Sequence, residues 1–149
     1  EVKKILDEKK IKYIEATANT SQEVIAAASS LIASKVDAVF TPTDNVIMSS
    51  ELAIYESFMN ANIPHYAGAD SFVRSGAFAT CVVNDTDAGI KTAKLAYEVL
   101  QPGFKKAEDF ITLDGGIITV NTEVAKKLGV TPDIFADFGQ VLTVETTGK

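Results

Sequence analysis

"VDAVFTPTDNVIMSSELA", residues 36–53, carries the reading on which the fold turns. A short, mainly apolar run from Val36 to Phe40 has the length and β-branched content of a strand covered on both faces. It breaks into Thr41-Pro42-Thr43-Asp44-Asn45, and the apolar residues that follow take helical spacing: Ile47, Leu52, Tyr55 and Phe58-Met59, over a helix of about 46–60. A buried strand that turns directly into a helix is half of a βαβ unit.

The same alternation extends in both directions. Upstream, Val2, Ile5 and Leu6 have helical spacing, and the pattern changes around Ile11–Ile14 to predict a strand at Tyr13–Ala16. Thr20 and Glu23 have the spacing of a capping box, opening a helix whose apolar stripe is Val24, Ala28 and Leu31 with Ile25 and Ile32. Downstream, Ile63-Pro64 leads into a strand through Ala67, a turn at Gly68–Ser71 opens a helix near Phe72, and Gly76 punctuates the entry to a strand at 77–83. Asn84–Asp87 starts a long helix with Ile90, Ala93, Tyr97 and Leu100 on one face, stopped by Pro102-Gly103. Strands at Phe110–Leu113 and Ile117–Val120 flank a Gly-Gly turn; Asn121 caps a short helix ending at Gly129, and a helical turn at 132–135 and a strand near 140–144 close the chain. The fold class is therefore α/β, a mostly parallel sheet flanked by helices.

Composition bounds the function. The 149 residues suffice for a domain with a core, 46% are hydrophobic and 23% charged, and the net charge is −6 with no basic face, which argues against nucleic acid. No apolar run reaches the ~20 residues of a membrane span. Cys81 stands alone in an apolar run and reads as a small buried residue. Without Met at the start, and with residues 1–8 reading as the inside of a helix, the chain is expected to begin within a larger protein.

Ligands of open parallel sheets lie outside the carboxyl ends of the strands. Three such junctions are polar, and their candidate ligand residues are Thr41, Thr43, Asp44 and Asn45 at the first, Asp70 and Ser71 at the second, and Asn84 and Asp85 at the third. A helix N-terminus favours a carboxylate, and an aspartate favours an ammonium; together they match an amino-acid zwitterion. The competing reading is that Asp, Asn, Ser and Thr are there as helix caps, which any strand-to-helix turn favours. Catalytic signals are thin. His65 is the one histidine and reads as a packed or surface residue rather than a catalytic base, no Cys/His set has metal-ligand spacing, and no phosphate loop or nucleophile elbow occurs. No enzyme, cofactor or metal is expected.

Four blocks, Pro42–Asn45, Gly76–Thr80, Asp87–Gly89 and Val120–Gly129, resemble in order the second half of the substrate-binding proteins of bacterial ABC importers, in the subfamily that includes binders of tryptophan and other aromatic amino acids. The resemblance implies a type I periplasmic-binding-protein fold, with two Rossmann-like α/β lobes closing on the ligand. Residues 1–82 would belong to the second lobe, 83–106 would cross to the first, and 107–149 would return to the second and end in a C-terminal tail; the N-terminal half, with the other cleft wall, would lie outside this chain. It further implies an amino-acid ligand, a membrane permease as partner, and an extracytoplasmic location, in the periplasm or lipid-anchored at the outer face of the membrane. Where the family carries an aromatic pair before its D/E-x-x-G stretch, this chain has Asp85-Thr86, which leaves the ligand's side chain open. The same fold also serves as the effector-sensing domain of transcription regulators and chemoreceptors, and that reading stands as the alternative. The stripe on the 87–100 helix, lacking its first-lobe cover, is expected to fold back onto the second lobe or to pair with a copy in a dimer.

Overall fold

A computed structural model describes residues 2–83, 85–105 and 115–147. The elements run α1 (Val2–Glu8), α2 (Ser21–Ala33), β1 (Val39–Thr41), α3 (Asn45–Asn60), β2 (His65–Ala67), α4 (Asp70–Arg74), β3 (Ala79–Val82), α5 (Asp85–Val99), β4 (Ile117–Asn121), α6 (Thr122–Leu128), a 3-10 helix (Pro132–Phe138) and β5 (Gln140–Val144). The strands form one sheet in sequence order. β1–β2, β2–β3 and β4–β5 pair in parallel, and β3–β4 pair antiparallel, with Thr80 opposite Thr119. The mostly parallel α/β layering predicted from the alternation is the one observed.

The helices form where apolar spacing and caps coincide. Thr20 Oγ1 accepts from the Glu23 N–H (3.3 Å), satisfying an orphan donor of the first turn of α2, and the Glu23 carboxylate reaches back to the Asn19 N–H (2.7 Å), just before the cap. Val24 and Ala28 of α2 pack with Val39 of β1 and with Ile54 and Phe58 of α3 in one core cluster. Ile25 lies off this stripe and is exposed. Asn121 Oδ1 accepts from the Glu123 and Val124 N–H groups at 3.0 and 3.2 Å, and Gly129, with φ +72°, closes α6 in the left-handed conformation that glycine adopts without cost.

Several expectations are corrected. Residues 11–16 pair with no strand of the described sheet, and Tyr13 and Ile14 are exposed, so the predicted strand at Tyr13–Ala16 is absent. Its apolar residues have nothing over them, and a strand needs both a ladder partner and a covered face. β1 is buried on one face only: Val39 is in the core, whereas Phe40, pointing the other way, is 49% exposed. Cys81 is exposed, because burial fades along β3 from Ala79 towards Val82. α4 starts at Asp70, two residues before the predicted Phe72. The predicted strand at Phe110–Leu113 lies outside the described residues. α5 buries no residue, and Ile90, Tyr97, Val99 and Leu100 stand exposed on it, so it does not fold back onto the sheet. No helix among the described residues is long and apolar enough to cross a membrane.

One packed group gives the fold a pH signature. Tyr66 of β2 meets Phe78 edge-on at 5.5 Å between ring centroids, and burial holds its phenol above the ordinary tyrosine range. The folded chain then keeps this proton at a pH where the unfolded chain, titrating near ~10, has released it. Stability from this source is complete below ~10 and lost as pH rises through the folded value. Urea unfolding at successive alkaline pH values should show a steeper fall for the native chain than for Tyr66→Phe; equal slopes would rule the effect out.

Candidate functional site

The parallel strands β1 and β2 end side by side, with Thr41 in register with Ala67. Two bonds then fasten the turns that follow: the Gly68 N–H donates to the Thr41 carbonyl (2.9 Å), and the Thr43 hydroxyl donates to the Gly68 carbonyl (3.0 Å). The approach needs glycine, since a Cβ at residue 68 would stand 2.8 Å from both the Thr43 nitrogen and its Oγ1. The first two predicted junctions are thereby one structural unit.

Asp44 sits at the start of α3 and is exposed. Its Oδ1 accepts from the Val46 and Ile47 N–H groups at 2.8 and 3.0 Å, the geometry of an N-cap. Two consequences follow. The Val46 and Ile47 N–H groups of α3 are occupied, so much of the anion site expected of a free helix end is filled by the protein's own carboxylate. The second oxygen, Oδ2, has no hydrogen bond among the described residues and, on an exposed side chain, can accept from a cation. Asn45, the first residue of α3, is exposed beside it.

At the second junction Asp70 is already engaged. Its Oδ1 accepts from the Thr119 hydroxyl of β4 (2.6 Å), and its Oδ2 pairs with Arg74 Nε at 2.5 Å, one turn along α4. It ties α4 to the sheet rather than standing open, while Ser71 is exposed. At the third junction Asp85 is exposed at the start of α5 and makes no hydrogen bond or ion pair to the other two junctions; Asn84 lies outside the described residues. The geometry joins Thr41, Thr43, Asp44 and Asn45 to the Gly68 turn and leaves Asp85 unconnected to them.

The Thr41 hydroxyl lies 2.9 Å from His65 Nε2. His65 is buried, the packed one of the two placements that the sequence left open; it lies against the Phe58 ring at 5.2 Å, and its Nδ1 is 3.1 Å from Glu51 Oε1. Glu51 is fully buried, and the sequence reading passed it over because a lone glutamate in a helix ordinarily faces water. Arg74 and Thr119 were likewise missed; only the i,i+4 spacing of Asp70 and Arg74 could have flagged them. Among the described residues no group of His, Cys, Asp or Glu could hold a metal ion. A surface concavity of about 670 Å³ between α3 and α6, lined by Tyr55, Glu56, Met59, Glu123, Lys126 and Lys127, contains none of the candidate residues.

Comparison with known proteins converges on one family. The family model for ABC transporter substrate binding proteins matches residues 1–134. A tyrosine-binding protein of Clostridioides difficile (strain R20291) is 38% identical over 116 residues, covering 77% of this chain and 33% of its own length. Among solved structures, the ligand-free, open form of a substrate binding protein with adhesive properties from Clostridium difficile superposes with a TM-score of 0.77 at 28% identity, over 98% of this chain and 48% of that one. An ABC domain in complex with L-Trp from Streptococcus pneumonia gives a TM-score of 0.69 at 28% identity, over 95% of this chain and 49% of that one. The chain thus spans about a third of the curated relative and about half of the solved chains.

Proposed function

The chain belongs to the family of ABC transporter substrate binding proteins, and from that premise we propose that it forms one wall of a two-lobed binder which captures an amino acid, aromatic in the first instance, and delivers it to a membrane permease at the outer face of the membrane. The observation that carries the reading is the fastened pair of turns at the carboxyl ends of β1 and β2. They present the free Oδ2 of Asp44 beside Thr43 and Asn45, where an ammonium would dock. The relatives support the ligand class, one being a tyrosine-binding protein and another a complex with L-Trp.

In the same proposal, residues 1–82 and 107–149 belong to one lobe and 83–106 cross to the other. The support is α5, whose exposed Ile90, Tyr97, Val99 and Leu100 call for an apolar cover that the described sheet does not supply. Taken alone, the 149-residue chain would cover that stripe by pairing with a copy. The protein acts by binding and release, without catalysis.

The test is a thermal-shift screen of the full-length protein against the twenty amino acids, followed by calorimetry. L-tyrosine or L-tryptophan at ~100 times its dissociation constant should stabilise the protein by about 2.7 kcal/mol. A screen in which no amino acid raises the melting temperature rejects the proposal.

A further inference from the structure

We propose that Glu51 and His65 hold one proton between them beneath α3, and that this proton sets the Thr41 hydroxyl as a hydrogen-bond donor towards the ligand's carboxylate. The ligand half of this inference rests on the amino-acid reading above; the proton half stands on the core geometry alone.

The pair is buried beyond the reach of solvent, Glu51 at 0% and His65 at 2% exposure. Its Nδ1–Oε1 separation is 3.1 Å, yet the alignment is poor: neither Glu51 oxygen, nor His65 Nδ1, makes a hydrogen bond among the described residues. Buried polar groups are ordinarily satisfied, so an unsatisfied buried carboxylate beside an unsatisfied imidazole nitrogen marks a site whose protonation decides its bonding. The other titratable groups on the elements packed around the pair are Glu23 on α2, Tyr55 and Glu56 on α3, Tyr66 on β2, Asp70 and Arg74 on α4, Cys81 on β3, and Glu123, Lys126 and Lys127 on α6. No lysine or arginine among the described residues reaches Glu51 within ion-pair distance; Arg74 is taken by Asp70.

Three states are open to the pair. A carboxylate beside a neutral imidazole buries a net negative charge with no cation to balance it, the costliest arrangement. A carboxylate with imidazolium, or a carboxylic acid with neutral imidazole, buries no net charge. In the first of these neutral states both ring nitrogens carry hydrogen; in the second the acid O–H donates to Nδ1 and leaves the hydrogen on Nε2. Both therefore place a hydrogen on Nε2, which donates to Thr41 Oγ1 across the observed 2.9 Å. Thr41 then accepts on its inner side, and its own O–H has no second partner among the described residues. Half-buried at the end of β1, one residue before the binding turn, it can donate outward. The Val46 and Ile47 N–H groups of α3 are spent on Asp44, so a ligand carboxylate gains from such a donor beside them. Glu51 and His65 are in this sense positioning residues.

The proton half is read by NMR on the full-length protein with 15N-labelled histidine, the His65 ring signals being assigned by their loss in His65→Gln. At neutral pH without ligand, Nε2 should show the shift of a protonated nitrogen; an unprotonated Nε2 with hydrogen on Nδ1 overturns the inference. The ligand half is read by calorimetry with L-tyrosine and L-tyrosinamide, which lacks the carboxylate. Thr41→Val should weaken L-tyrosine by about tenfold or more while changing the amide little, and Thr41→Ser, which keeps the hydroxyl, should bind L-tyrosine as the native protein does. Equal losses for both probes, or none, overturn the inference. A native protein that binds no amino acid rejects the proposed function and the ligand half with it, while the Nε2 signal still decides the proton.

Discussion

Asp44→Asn in the full-length protein should weaken amino-acid binding by tenfold or more and leave the melting temperature of the ligand-free form nearly unchanged. The two roles of this side chain are divided between its oxygens. Oδ1 caps α3 through Val46 and Ile47, and the asparagine carbonyl can accept the same two bonds, since Asn and Asp are near-equal N-caps. Oδ2 has no hydrogen-bond partner among the described residues, and replacing it by an amide removes the charge that an ammonium would meet. Losing one partner of a desolvated, hydrogen-bonded charge pair typically costs about 2–5 kcal/mol. Asp44→Ala removes both roles and should add about 1 kcal/mol of lost stability to the lost affinity. Calorimetry and thermal melts of the two variants separate the contributions. If Asp44→Asn binds as the native protein does while Asp44→Ala loses only stability, the residue is a cap and nothing more.

Much of this arrangement was legible in the sequence, for identifiable reasons. The strand-to-helix breaks at Thr41–Asn45 and Gly68–Ser71 are local features, fixed by turn residues, caps and a change of period. Parallel strands follow from alternation with helices, so the side-by-side ends of β1 and β2 came with the fold class. What the sequence concealed depends on partners distant in the chain. Tyr13–Ala16 has strand-like composition, but a strand exists only where a neighbour supplies the ladder, and none of the described strands does. Asp70 looked as available as Asp44. Its capture by Thr119, 49 residues away, depends on β4 lying antiparallel to β3 and bringing that hydroxyl under α4. Glu51 is the plainest case. Charged residues in helices usually face water, and nothing in "SSELAIY" distinguishes this one; only the placement of α3 over β2 puts it against His65. The resemblance to the binding-protein family pointed to these turns, whereas the hydrogen bonds that tie them together needed the contacts.

The largest effect on stability should come from a glycine remote from the binding turns. Gly76 lies between α4 and β3, where the chain reverses into the buried Ala77-Phe78-Ala79. Its φ is +115°, a conformation that L side chains rarely adopt. A Cβ added there would stand 2.2 Å from Tyr55 Cγ, 2.4 Å from Cδ2 and 2.7 Å from Cβ. These are the atoms of Tyr55 nearest its backbone, and the residue is only 7% exposed, so it cannot swing aside. Gly76→Ala therefore combines backbone strain, about 1–2 kcal/mol, with overpacking of about 1–3 kcal/mol. The sum, ~2–5 kcal/mol, is a large share of the ~5–15 kcal/mol that holds a domain folded. Urea denaturation should show the midpoint falling accordingly with the slope retained. A second variant separates the two contributions. Gly76→Ala combined with Tyr55→Ala removes the overlap but not the strain, so the pair should be less destabilised than the two single changes added together. Additive losses would mean that the steric clash with Tyr55 is not the cause. A Gly76→Ala chain as stable as the native one would show that the turn between α4 and β3 is not built as described.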